Sequence, residues 1–211
     1  MYVSESVVRG CVLVCHVLYT GLEAEQYIYA YISDANFIRP LGPRVLIIGH
    51  SFVSRIDRHH LRSYFPSYWI IKAIGKPGAK VKDIRETAVA HIYTFFPDLI
   101  YVQIGGNDID VNTTPSLLLF ELMETFSYLK NLGPFSLFVG GIFPRFKPRH
   151  IGADEYCRIK SFLNKQLFFW IQNFEKMYFC STRKFRMSDL SIDGVHLSQN
   201  GQLKWIQRDF L

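Results

Sequence analysis

Four short stretches of this 211-residue chain hold side chains that could do chemistry together. Ser51 offers a hydroxyl nucleophile. Asp193-Gly194-Val195-His196 sets a carboxylate three residues before an imidazole. Across a one-turn bend, Asp193 can accept from one ring nitrogen and leave the other facing a pocket as a base. Gly105-Gly106-Asn107-Asp108 supplies an Asn amide, a donor suited to a developing oxyanion. Gly78 lets a backbone N–H approach a ligand with no Cβ in the way. Alone, each has a plainer use: Ser51 caps a helix, the glycine-rich stretches turn, and a loop histidine is solvated. Together they make a hydroxyl nucleophile, a base, an orienting acid and extra donors, which is what acyl transfer requires.

The chemistry works only if the fold brings these stretches together. Val45-Leu46-Ile47-Ile48 is an unbroken apolar run, as expected of a strand (44–49) buried on both faces. Gly49 allows a sharp turn, and a helix follows over 52–65, stopped by Pro66. Further strands are expected at 68–74, 98–104, 135–142 and 176–180. Helices are expected over 81–96, from Thr114-Pro115 to Leu132, and over 154–174, with Asp154 as a cap. Ser198 caps a last helix to about Phe210. Val81, Ile84, Ala88 and Ile92 show the helical spacing plainly. Strands alternating with helices imply right-handed crossovers and a five-stranded parallel sheet covered on both faces, an α/β protein. In such a sheet the loops beyond the strands' carboxyl ends share one edge, and Ser51, Gly78 and Asn107 fall in such loops. Asp193 and His196 come just before the last helix.

Residues 1–43 read as an N-terminal extension, irregular or loosely packed or adding a strand or helix, and Arg39–Pro43 punctuates the start of the regular domain, 44–211. Cys11–Tyr19 is apolar but too short to span a bilayer, and Leu18-Tyr19-Thr20 is a poor signal-peptidase site. The four cysteines (Cys11, Cys15, Cys157, Cys180) form no regular framework and no metal-ligand spacing; they read as reduced thiols of an intracellular, cytoplasmic protein. The net charge is +6, with −2 on residues 1–39 and +8 on the rest, which favours anionic partners or substrates. The basic groups are scattered and form no zinc-knuckle, RRM-type or basic-region motif, so specific nucleic-acid binding is disfavoured. The loop Phe143–Gly152, with Arg145, Lys147, Arg149 and His150, follows the fourth strand and could overhang the pocket and favour an acidic substrate.

Gly49-His50-Ser51, Gly78, Gly105-Gly106-Asn107-Asp108 and Asp193-Gly194-Val195-His196 resemble, in order, the four blocks of the SGNH/GDSL-type hydrolases. The resemblance covers about residues 44–210. It implies a flavodoxin-like three-layer α/β/α fold and ester hydrolysis on a small-molecule or acylated substrate, often an acetyl or lipid ester, without metal or other cofactor. By position it makes Ser51 the nucleophile, His196 the base and Asp193 its orienting partner. The oxyanion hole falls to the Ser51 and Gly78 N–H groups and the Asn107 side chain. One residue departs from the pattern: His50 stands where the family usually carries Asp, a loop-supporting position. A second reading follows from that departure: a catalytically degenerate binding module with a basic surface, of the kind resembled by parts of animal retroelement proteins.

Overall fold

In a computed structural model of the chain, the backbone is described for residues 3–8, 11–16, 29–33, 42–56 and 58–209, and the side chains for 42–56 and 61–209. The chain divides into two compact units, 1–41 and 42–211. In the first, β1 (Val3–Val8), β2 (Cys11–His16) and β3 (Tyr29–Ser33) form an antiparallel sheet in the order β1-β2-β3. The thiols of Cys11 and Cys15, and the packing of the Tyr-rich stretch 26–32, lie outside the described residues.

The second unit is a five-stranded, all-parallel sheet with helices on both faces. Its strands are β4 (Arg44–Gly49), β5 (Ile70–Gly75), β6 (Leu99–Gln103), β7 (Ser136–Gly140) and β8 (Met177–Cys180). They lie in the order β5-β4-β6-β7-β8, the doubly wound flavodoxin-like arrangement. Side chains alternate across the sheet. Leu46 and Ile48 of β4, with Ile100 and Val102 of β6, pack under α3 (Val81–Phe95), α4 (Pro115–Lys130) and α5 (Ala153–Ile171). Val45, Ile47 and Tyr101 pack on the other face under α1 (Ser51–Ser54), α2 (Arg58–Tyr64) and α6 (Gln199–Asp209). This two-sided burial is why β4 is apolar without alternation.

Three of the departures from the expected boundaries have a visible cause. The helix expected over 52–65 is two helices. The chain leaves helical geometry at Arg55 (ψ 0°), where the Ile56 N–H closes on the Val53 carbonyl and Ile56 is tucked into the core. The fourth strand stops at Gly140, because the N–H of Ile142 donates to the Asn164 side chain instead of to a neighbouring strand (2.8 Å). Helix α5 is capped by Gly152, not Asp154; Asp154 and Glu155 sit in its first turn, where their charges complement the helix dipole. Ser198 does cap α6, accepting from the Gly201 N–H at 3.1 Å. The end of that helix at Phe210 lies outside the described residues. Among the described residues no helix is long and apolar enough to cross a membrane.

Candidate active site

The site begins where β4 ends. A Cβ on Gly49 would come within 2.5 Å of the Gln103 carbonyl, so only glycine lets β4 lie this close to β6 as it turns. His50 follows as the N-cap of α1: its Nδ1 accepts from the Phe52 N–H at 3.4 Å, and its carbonyl accepts from Val53 and Ser54. Ser51 therefore stands on the first turn of a short helix, beyond the strand's carboxyl end, with 9 % of its surface exposed.

The partner comes from the far end of the chain. Leu190 and Leu197 pair across a closed turn, and Ser191 N–H donates to the His196 carbonyl (2.7 Å). Within that turn Asp193 Oδ1 accepts from Ser191 Oγ (2.7 Å) and from the N–H groups of Val195 and His196 (both 2.9 Å), an Asx-type turn. Gly194 takes the left-handed conformation the turn needs (φ 65°). Asp193 Oδ2 meets His196 Nδ1 at 2.6 Å, and His196 Nε2 meets Ser51 Oγ at 2.9 Å. Burial works to raise the Asp193 carboxyl. The hydrogen bonds from His196, Ser191 and the backbone prevail and hold it well below the usual carboxylate range. An ionised Asp193 can only accept, so Nδ1 carries the proton and Nε2 is left to accept from Ser51.

Asn107, beyond β6, lies on the opposite wall. Its Oδ1 accepts from Arg145 (2.7 Å), and its Nδ2 donates to the Ala79 carbonyl (2.9 Å). Arginine only donates, so the amide orientation is set, and one Nδ2 hydrogen remains for a ligand. Next to it, Asp108 Oδ1 accepts from the Val81 N–H at 3.1 Å. Asn107 and Asp108 thereby hold the Gly78–Val81 segment from both sides. Gly78 is exposed at φ 75°, with nothing within 4 Å of where a Cβ would be. Burial pushes the Asp108 carboxyl up to about 6 against its hydrogen bond from Val81.

Ser51, Gly78, Asn107, Asp193 and His196 line one cleft. Sequence reasoning missed three of their supports: Arg145 on Asn107, Asp108 on Val81, and Arg55, whose guanidinium lies 3.5 Å from Asp193 Oδ2. Arg145 had a visible signal, since it follows β7 on the edge that carries the other loops. The departure at His50 also has a physical meaning. The ring is buried to 1 % exposure, and burial, then the charges of Arg145 and His196, lower its pKa to about 3. At neutral pH it is an uncharged cap beside Ser51. A second groove, between α3 and α4, contains no serine, cysteine or histidine. Among the described residues no cluster of His, Cys, Asp and Glu could hold a metal ion.

No protein-family model matches the chain, and no curated protein sequence matches it. Solved structures do. A GDSL-like lipase from Bacteroides thetaiotaomicron superposes with a TM-score of 0.61 at 16% identity, covering 79% of this chain and 84% of that one. The chain has the fold of the SGNH/GDSL hydrolases. A family 3 carbohydrate esterase from Clostridium thermocellum (TM-score 0.57, 21% identity, 79% and 92% covered) has the same fold. So does a lipase/acylhydrolase from Enterococcus faecalis (0.59, 14%, 78% and 92%). The cleft lies at the switch point beside β4, where the strand order reverses.

Proposed function

We propose that the protein is a serine esterase that hydrolyses carboxylic esters, acetyl esters among them, through an acyl-enzyme. The observation that carries this reading is the aligned chain Ser51 Oγ–His196 Nε2 (2.9 Å) and His196 Nδ1–Asp193 Oδ2 (2.6 Å). Ser51 attacks the acyl carbonyl while His196 takes its proton. Asp193, ionised, stabilises the resulting imidazolium and keeps its ring oriented. The Ser51 and Gly78 N–H groups and Asn107 Nδ2 hold the oxyanion. The intermediate collapses, His196 returns the proton to the departing alcohol, and a water activated by the same base releases the acid.

A cationic neighbour would oppose this cycle, because His196 must become charged during it. A neutral His50 does not, which favours turnover over a degenerate site. The test is hydrolysis of 4-nitrophenyl acetate by the wild type beside Ser51→Ala. The expected loss in kcat is on the order of 10⁴-fold or more. Equal, background rates from both proteins across short and medium acyl chains would overturn the reading and leave a binding module.

A further inference from the structure

Resting on the esterase reading above, we propose that the cleft selects esters carrying a negative charge, a carboxylate or phosphate, close to the scissile bond. Five cationic side chains line it beside Ser51: Arg55, Lys80, Arg145, Lys147 and Arg149. Two carboxylates line the cleft with them. Asp193 is committed to His196, and Asp110 Oδ1 accepts from Asn112 N–H (2.9 Å) and Thr113 Oγ1 (3.4 Å) in its own turn. Arg55 pairs with Asp193, whereas Lys80, Arg145, Lys147 and Arg149 have no ion pair within 4 Å among the described residues. Ordinary surface lysines and arginines are spread among acids. Here three cations of the loop after β7, none in an ion pair among the described residues, line one cleft with Ser51 and with Lys80, whose charge Asp83 and Asp108 also feel, and such a cleft concentrates anions.

Two of the cations, Arg145 and Lys147, are also positioned by their surroundings. The N–H groups of Phe146 and Lys147 donate to the Gly194 carbonyl (2.8 and 3.3 Å), tying the loop after β7 to the turn that carries His196. The Lys147 stem lies over Gly194, where a Cβ would come 2.9 Å from its Cγ. Arg145 is fixed by Asn107 and by the face of the Tyr156 ring, 5.6 Å from its centroid. The loop thus spans from the Asn107 wall to the His196 wall and sets charge on both sides of the cleft.

Two matched pairs of esters test this. 4-Acetoxybenzoate against its methyl ester places the charge on the alcohol part; mono-4-nitrophenyl glutarate against 4-nitrophenyl valerate places it on the acyl part. The readout is the anionic-to-neutral ratio of kcat/KM in the wild type, in Lys147→Ala/Arg149→Ala, and in the charge-keeping Lys147→Arg/Arg149→Lys. The ratio for at least one pair should fall about tenfold in the alanine variant, be retained in the charge-keeping one, and shrink as salt is raised from about 0.05 to about 0.5 M. The pair that responds identifies the charged part. Ratios untouched by the alanine variant in both pairs overturn the proposal. If no ester turns over, the esterase reading fails separately, and charge selection is read from binding of the same four esters to Ser51→Ala by calorimetry. Tighter binding of a charged ester, weakened by the alanine pair, upholds it; equal binding of charged and neutral esters overturns it.

Discussion

The buried His50 makes the stability of this protein depend on pH in a way that one substitution should expose. In the folded chain its pKa lies at about 3, against 6.5 for the free side chain. Between those values the unfolded chain binds a proton that the folded chain refuses. The stability due to a neutral His50 is therefore fully present above pH ~6.5 and is lost as pH falls toward the folded value. Within that window each step of one in pH changes stability by about 1.4 kcal/mol, so acidifying from about pH 7 to about pH 5 costs about 2 kcal/mol at this residue alone.

Two carboxylates act in the opposite sense. Burial pushes Asp108 and Asp209 up to about 6, so the folded chain binds their protons first and gains stability as pH falls through that value. Over the same interval each contributes about 1 kcal/mol, which offsets the loss at His50 in the wild type, while His91, lowered by burial, adds to that loss. The informative comparison is thus with His50→Asn, which keeps an acceptor for the Phe52 N–H but cannot take up a proton. Urea unfolding of both proteins at about pH 7, 6 and 5 gives the difference directly, with the carboxylates cancelling. The variant should gain about 2 kcal/mol on the wild type between the two extremes. Parallel pH dependences would refute the argument: His50 would then charge freely in the folded state, and the case for a neutral neighbour beside His196 would go with it.

Other substitutions probe the remaining parts. Asn107→Ala should lower kcat on 4-nitrophenyl acetate by on the order of 10² to 10³ with little change in KM, as expected for a donor that acts mainly on the oxyanion; a change in KM alone would remove it from that role. Asp108→Asn keeps an acceptor for Val81 without a buried charge. Denaturation should find it more stable than the wild type by about 1 kcal/mol or more at pH ~8, with the advantage vanishing near pH ~4. Two glycines should separate backbone strain from collision. Gly78→Ala, in open space at φ 75°, should cost about 1 kcal/mol. Gly201→Ala, whose Cβ would fall 2.0 Å from the Asp189 carbonyl, should cost about 3 kcal/mol or more.

From residue 44 onward, the sequence by itself determined the alternation of strands and helices, apart from the break between α1 and α2, and it singled out the four blocks. The reason is local: a strand buried on both faces must be apolar throughout, as Val45–Ile48 is. A left-handed turn is cheapest at glycine, as at Gly78 and Gly194. The neighbours Asp193 and His196 were legible as a pair because three residues around one bend bring them together without help from the rest of the chain. Tertiary structure decided what depends on residues distant in sequence. Ser51 and His196 are 145 positions apart, and only the sheet order brings Oγ to Nε2. Asn107 is oriented by Arg145, 38 positions away, since an amide can point either way until a donor-only group selects its oxygen. The charge state of His50 could not be seen in its letter. Burial removes the water that would stabilise the imidazolium, and neighbouring Arg145 and His196 disfavour it further, so the residue that broke the expected motif became a neutral cap beside Ser51.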